Sequence, residues 1–385
     1  MMPAEFDILL SEPDFSDLER DMVAAVLGSP YLTAGPLTER LEAAVAARLG
    51  RRHALAVSSS TMALWLILRA AGIGPGAEVV APSYGWRQLA DAASFAGAGV
   101  VLADVDYWSG CLTAEKVAAR LTPQTQALLV ANAGGHPAPW AELRALAAAR
   151  GLLLIEDSSE AIGSVYQGKE VGSFGDCAIL DFTQPGPIAC SQGAVILTDD
   201  IDLASRLRLL RDRRLADRGS VVAGGLPVAK LAMGELNAAL GLAQWVRLDE
   251  ILARRKVVEG HYLEVIQSFE GIKPPYAAPE VEQVHWFLAL VHLGTRFSRA
   301  SRDDIVEDLA TAGVEAAAYC LPLHRQARYF DGQRPRQDLW VTDKLADRAL
   351  ALPFHASLDA EEVAFIVQTA KDASINVGAG SAIYL

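Results

Sequence analysis

Short apolar runs of roughly four to six residues alternate with amphipathic stretches through the first two-thirds of the chain, which predicts strands separated by helices. The predicted strands are Ala54–Val57, Glu78–Ala81, Val100–Ala103, Ala127–Ala131, Leu152–Glu156, Cys177–Phe182 and Ala194–Thr198. Between them, Ala114–Leu121 and Ala141–Arg150 carry helical spacing, while Gly74-Pro75-Gly76 and Pro82-Ser83 mark loops. Two longer helical patterns follow, Asp202–Arg213 and Gly234–Phe269, the second long enough to cross a junction between domains. The rest reads as strand His285–Leu293, helix Ser301–Ala312, strand Glu315–Tyr319 and a closing helix Ala360–Lys371. This order predicts an α/β fold with a mostly parallel seven-stranded sheet, followed by a smaller α+β C-terminal domain. The expected division is 1–245, an N-terminal segment plus the large α/β domain, and 246–385, the small domain. There is no internal repeat and no low-complexity linker.

A chain of 385 residues suits one large domain and a smaller one. Its net charge of −13 argues against broad binding to nucleic acid or to anionic lipid. Cys111, Cys177, Cys190 and Cys320 stand far apart, with neither paired zinc spacing nor a disulfide framework. Buried, reduced thiols in a cytoplasmic protein are the expectation. The opening MMPAEFDILLSEPDF is too acidic for a signal peptide, and no apolar stretch of about 18 residues suggests a membrane span.

Seven segments then occur in a telling order: AVSSSTMALWLILRAAGIGPGAEVVAPSYGW (56–86), FAGAGVVLADVD (95–106), LTPQTQALLVANAGGHPAPW (121–140), LLIEDSSEAIGSVYQGKEVGSFGD (153–176), ELNAALGLAQWVRLDEILARR (235–255), YCLPLHRQARYF (319–330) and LPFHASLDAEEVAFIV (352–367). Together they resemble the DegT/DnrJ/EryC1/StrS family, the sugar-aminotransferase-like branch of the fold-type I enzymes that use pyridoxal phosphate (PLP). The resemblance implies a fold-type I PLP-transferase-like architecture and a homodimer with its sites at the interface.

It also implies a pocket, and this chain departs from the family pattern there. The turn that carries the family's Schiff-base lysine reads Thr183-Gln184-Pro185-Gly186-Pro187, with Gly186 at the lysine position. Asp157 matches the carboxylate that faces the pyridine nitrogen, and Trp86 matches the aromatic that stacks on the ring. Ser59, Ser60 and Thr61 match the first part of the phosphate cup, at the start of a helix, although the family has glycine where Ser60 stands. Asp181 replaces the phosphate-contacting serine. A carboxylate at ~4 Å from a phosphate charge costs about 4 kcal/mol at an effective dielectric near 20. Lys230-Leu231-Ala232 stands where the family has Asn-Tyr-Arg reaching in from the neighbouring subunit, so Lys230 is either a counter-charge for Asp181 or a surface lysine. Glu160 replaces the glutamine that meets the ring hydroxyl. His324, in LPLH, matches a histidine on the substrate side, and His136, in GGHP, lies in a matching loop.

These changes together predict a biosynthetic enzyme on an aminotransferase scaffold that works without a Schiff-base lysine and with no cofactor. Asp157, Glu160, Asp181 and His324 would supply acid/base chemistry on a small polar intermediate of amine, sugar or cyclitol type. No metal is expected, since His-rich spacing is lacking. Two alternatives stand beside this. One is a dehydratase or aminotransferase-like enzyme that binds PLP or its amine form, PMP, non-covalently. Dehydrating relatives keep a histidine at the lysine position, which Gly186 does not supply. The other is a catalytically silent subunit that pairs with an active homologue.

Overall fold

In the computed structural model, residues 6–211, 229–266, 272–273, 278–329 and 339–383 are described. Seven strands form the main sheet: β1 (His53–Val57), β2 (Glu78–Pro82), β3 (Gly99–Ala103), β4 (Thr125–Ala131), β5 (Leu153–Asp157), and, after a short hairpin of β6 (Val165–Tyr166) and β7 (Lys169–Glu170), β8 (Cys177–Asp181) and β9 (Ala194–Thr198). Their spatial order is β1-β9-β8-β5-β4-β2-β3, and β9 alone runs against the others. All seven predicted strands are there, each within two residues of its predicted ends.

The helices are α1 (Asp17–Leu27), α2 (Pro36–Leu49), α3 (Ser60–Ala70), α4 (Gln88–Ala96), α5 (Ala114–Ala118), α6 (Trp140–Arg150), α7 (Ile201–Arg211), α8 (Glu235–Val246), α9 (Leu248–Ile266), α10 (Arg299–Thr311), α11 (Trp340–Ala346) and α12 (Ala360–Ile383). Successive strand residues point to opposite faces of the sheet. Val79, Leu129, Ile155, Ile179 and Ile196 pack with α3, α4 and α7. Ala178, Leu180, Val195 and Leu197 pack on the other face with α2 and α8. Burial on both faces is why these strands read as continuous apolar runs rather than alternating ones.

A second sheet, β10 (Ile272–Lys273), β12 (Ala289–Leu293), β14 (Ala349–Leu352) and β13 (Ala317–Ala318) in spatial order, packs with α10 and α12. β11 (Val281–Gln283) instead joins the β6–β7 hairpin. The long pattern Gly234–Phe269 is two helices, broken at Arg247. Leu248 and Leu252 of α9 lie in the large core, whereas Val258, Tyr262 and Ile266 lie in the small one. This helix therefore crosses the junction, and the expected division at 245/246 falls at the end of α8. The strand expected over Glu315–Tyr319 shrinks to Ala317–Ala318, and that over His285–Leu293 begins at Ala289. Positions 212–213 and 267–269, the ends of two expected helices, lie outside the described residues. Among the described residues, no helix is long and apolar enough to cross a membrane. Cys111, Cys177 and Cys190 are buried free thiols and Cys320 is half-buried.

Candidate active site

The carboxyl ends of β1, β2, β4, β5 and β8 lie along one edge of the sheet, where open α/β sheets bind ligands. A cavity of about 200 Å³ opens there, lined by Trp86, Gln88, Ser159, Glu160, Asp181, Thr183, Gln184, Pro185 and Phe287.

Asp157 ends β5 and is 5% exposed. Ser159 stands between it and the cavity: its N–H, at 3.0 Å, and its hydroxyl both donate to Oδ1. Among the described residues, no donor meets Oδ2. Burial pushes this carboxyl up to about 7, and the charges of Asp181 and Glu160 add to that, against the two bonds from Ser159. Its neighbour Glu156 points to the other face, where it accepts from the N–H groups of Gly172, Phe174 and Gly175 and plays no part in the pocket.

Glu160 sits on a 3-10 turn, Ser159–Ala161, not on a longer helix. The Trp86 indole N–H and the Tyr319 hydroxyl donate to its Oε1, and the Gly134 N–H donates to Oε2 at 2.6 Å. Burial raises its pKa, and these three bonds oppose the rise. Trp86 is 43% exposed and meets Phe287 and Tyr319 edge-on, with ring centroids 6.3 Å away in each case. The indole also lines the cavity, where its exposed part is available to a flat ligand.

Asp181 ends β8, next to β5 in the sheet. Its Oδ2 accepts from the Ser60 hydroxyl and its Oδ1 from the Thr183 N–H at 2.8 Å. Ser59 caps α3 by accepting from Met62 N–H at 3.3 Å. Thr61 follows in the first turn, half-buried. Gly186 lies in the expected turn with φ +150°. A Cβ there would meet its neighbours at 3.7–3.9 Å, so there is room for a side chain but not a relaxed backbone.

Within one chain Lys230 is exposed, does not line the cavity and forms no ion pair with Asp181; that it meets a neighbouring subunit's pocket stays an expectation for the dimer. The bridge of Ala232 to Val57 places its segment beside β1. Two other expectations are corrected. His324 does not line the cavity either. It is buried, with Nδ1 2.6 Å from the Ser83 hydroxyl and Nε2 3.0 Å from Asp343 Oδ1. It joins the loop after β2 to α11. Nor do the three carboxylates meet as one open cluster, since Asp157 is covered by Ser159 and Glu160 is held by donors. His136 is likewise structural: its ring bonds the Pro137 carbonyl at 2.7 Å and accepts from Ala278 N–H at 3.0 Å.

Ser159, Tyr319, Gly134, Thr183 and Phe287 were not singled out from sequence. Ser159 carried a signal, its place inside Asp157-Ser-Ser-Glu160 at the end of a strand. Tyr319 carried none beyond opening a matched segment, because 159 positions separate it from Glu160.

Residues 13–371 match the model of the DegT/DnrJ/EryC1/StrS aminotransferase family. GDP-perosamine synthase of Caulobacter vibrioides is 33% identical over 360 residues, which cover 92% of this chain and 95% of that protein. The structure of DesV from S. venezuelae, in complex with a ketimine intermediate, is 29% identical, with a TM-score of 0.83 over 92% of this chain and 94% of that one. A Streptococcus pneumoniae protein described as a sugar aminotransferase, in its PLP form, superposes with a TM-score of 0.87 at 24% identity, over 96% and 98% of the two chains. The expected fold-type I architecture is therefore the one found. A PLP-type group fits the pocket unevenly. Trp86 lines the cavity and suits its ring, whereas Asp157 lies behind Ser159 and the Ser60 hydroxyl of the cup is already given to Asp181.

Proposed function

Because the chain belongs to the DegT/DnrJ/EryC1/StrS aminotransferase family, we propose that it is an enzyme of amino-sugar-type biosynthesis that holds a pyridoxal-type ring, as PLP or PMP, without a covalent link. The kinship favours such a cofactor over the expectation of none. A nucleotide-linked sugar is the substrate class suggested by the perosamine synthase.

The observation that carries this reading is Asp157. It is buried at the end of β5, its carboxyl is pushed up to about 7, and among the described residues no protein donor meets its Oδ2. A carboxyl so placed suits a ring nitrogen or an ammonium group as its partner once the ligand displaces Ser159 from between them. Trp86 gives the flat ligand one face, and Glu160 fixes the angle of that indole through its N–H. Gly186 offers no amine, so the ring is kept by contacts alone. When bound, such a ring supplies an electron sink for the carbon that bears the amino group.

The test is an absorbance titration of the purified protein with PLP and PMP, followed by borohydride. The expected outcome is a shifted band with no mass added on reduction. A borohydride-trapped adduct, or no spectral change at saturating ligand, would count against the reading.

One observation favours a second reading, in which Glu160 and Asp181, the carboxylates that line the cavity, transfer protons on a small polar substrate directly. That observation is the Asp181 carboxylate lodged in the cup. Under this reading neither PLP nor PMP shifts its band, and Asp181→Asn lowers turnover at least ~tenfold with the fold intact.

A further inference from the structure

We propose that Asp181 takes the place of a ligand's phosphate at the start of α3, so that a phosphate on the ligand adds nothing to binding in the native pocket. The proposal rests on the assignment of this cavity as the ligand site, but not on the identity of the ring within it.

A helix start attracts one anion, because its first N–H groups are unpaired and the helix dipole is positive there. Here the anion is the chain's own. Asp181 accepts from the Ser60 hydroxyl, in the first turn of α3, and from the Thr183 N–H at 2.8 Å. Its backbone is pinned on both sides: its N–H donates to Ser159 Oγ at 3.0 Å, and β9 pairs it with Ala194. The carboxylate therefore cannot withdraw by a shift of the strand. A phosphate brought to the same donors would displace it or sit beside it, and like charges at that range repel.

Within one chain, the lining of the cavity offers nothing to offset a second anion. Its lining contains Glu160 and Asp181 but no lysine, arginine or histidine. Lys230 stays exposed and unpaired with Asp181. The chemical class that suits this end of the pocket is a neutral or cationic polar group, a hydroxyl or an amine.

The test compares PMP with pyridoxamine, the same ring without its phosphate, on the native protein and on Asp181→Ser and Asp181→Asn. Binding is read by quenching of tryptophan fluorescence. Inorganic phosphate is the second probe, read by the midpoint of thermal unfolding. The native protein is expected to bind the two ring compounds within about threefold of each other, and Asp181→Ser to bind PMP at least ~tenfold more tightly with pyridoxamine unchanged. Asp181→Asn keeps the size and loses the charge, so it should move the same way by less. Phosphate should stabilise the variants and not the native protein.

A native protein that prefers PMP by ~tenfold or more overturns the proposal, because the phosphate is then seated. If no ring compound binds any of the three, the pyridoxal reading of the site fails and the phosphate probe decides. Stabilisation confined to the variants supports the proposal, and its absence from them overturns it.

Discussion

Trp86 donates its indole N–H to Oε1 of Glu160, and the other partners of that carboxylate are donors too. An indole can only donate, and so can a backbone N–H. Three donors around one group call for a carboxylate rather than an amide, whose NH₂ would face another N–H. That accounts for a glutamate at this position.

Glu160→Gln should therefore destabilise the fold by ~1–3 kcal/mol, the cost of leaving a buried donor unmatched. Trp86→Phe removes one of those donors, so the double variant should lose less than the sum of the singles. Urea unfolding of the four proteins checks this. Strict additivity would show that the two groups do not depend on each other.

Asp157 predicts a dependence of stability on pH. Its carboxyl titrates near 7 when folded, against a usual value of 3.8. Between these values the folded state keeps a proton that the unfolded chain has released. Stability thus falls as pH rises from about 4 to about 7, by on the order of 1–4 kcal/mol for this group. Asp157→Asn should abolish that part of the profile. The measurement is the native-minus-variant unfolding free energy at pH 4.5 and at pH 7.5. An unchanged difference would refute the raised pKa.

Gly186→Lys introduces an amine into the turn after β8, at a position with room for a Cβ but a φ of +150°. A cost of roughly 1–3 kcal/mol in stability is expected for a side chain there. Combined with Asp181→Ser it should trap PLP at lower ligand concentration than on its own, and mass spectrometry after borohydride reads the result. Equal trapping by the single and double variants would mean that Asp181 does not hinder the phosphate.

His324 lies between Ser83 and Asp343, and Ser83 is fully buried. Its Nδ1 faces the serine, and no cavity reaches the pair among the residues that line the candidate site. His324→Ala should cost ~1–3 kcal/mol in stability and leave ligand binding at Trp86 unaltered. A loss of binding with stability kept would return this histidine to the site.

Leu27, Tyr31, Leu32 and Leu236 are exposed, and Leu32 is tied to the start of α8 by the Glu235 N–H to its carbonyl at 3.0 Å. An apolar patch of this kind suits a partner subunit. Light scattering should give a dimer of this chain, and Tyr31→Asp with Leu32→Asp should shift it toward monomer. A native protein that is monomeric at all concentrations would remove that expectation and favour pairing with a different homologue.

The sequence by itself determined the seven strands of the main sheet, because strands buried on both faces must be apolar along their length. It also determined the absence of an amine at Gly186, which no folding can supply, and the places of Asp157, Trp86 and Asp181, each at or near a strand end. The short strands around Glu315–Tyr319 and His285–Leu293 were over-read, since a run of a few residues fixes no hydrogen-bonding partner. What only the tertiary structure decided were the pairings across long separations. Ser60 with Asp181, Tyr319 with Glu160, and Ser83 with His324 lie 121, 159 and 241 positions apart. Each depends on strand order and on a side chain's direction, and neither quantity is carried by local periodicity. Those pairings, rather than the residue types alone, gave the Asp181 carboxylate its partner at the start of α3.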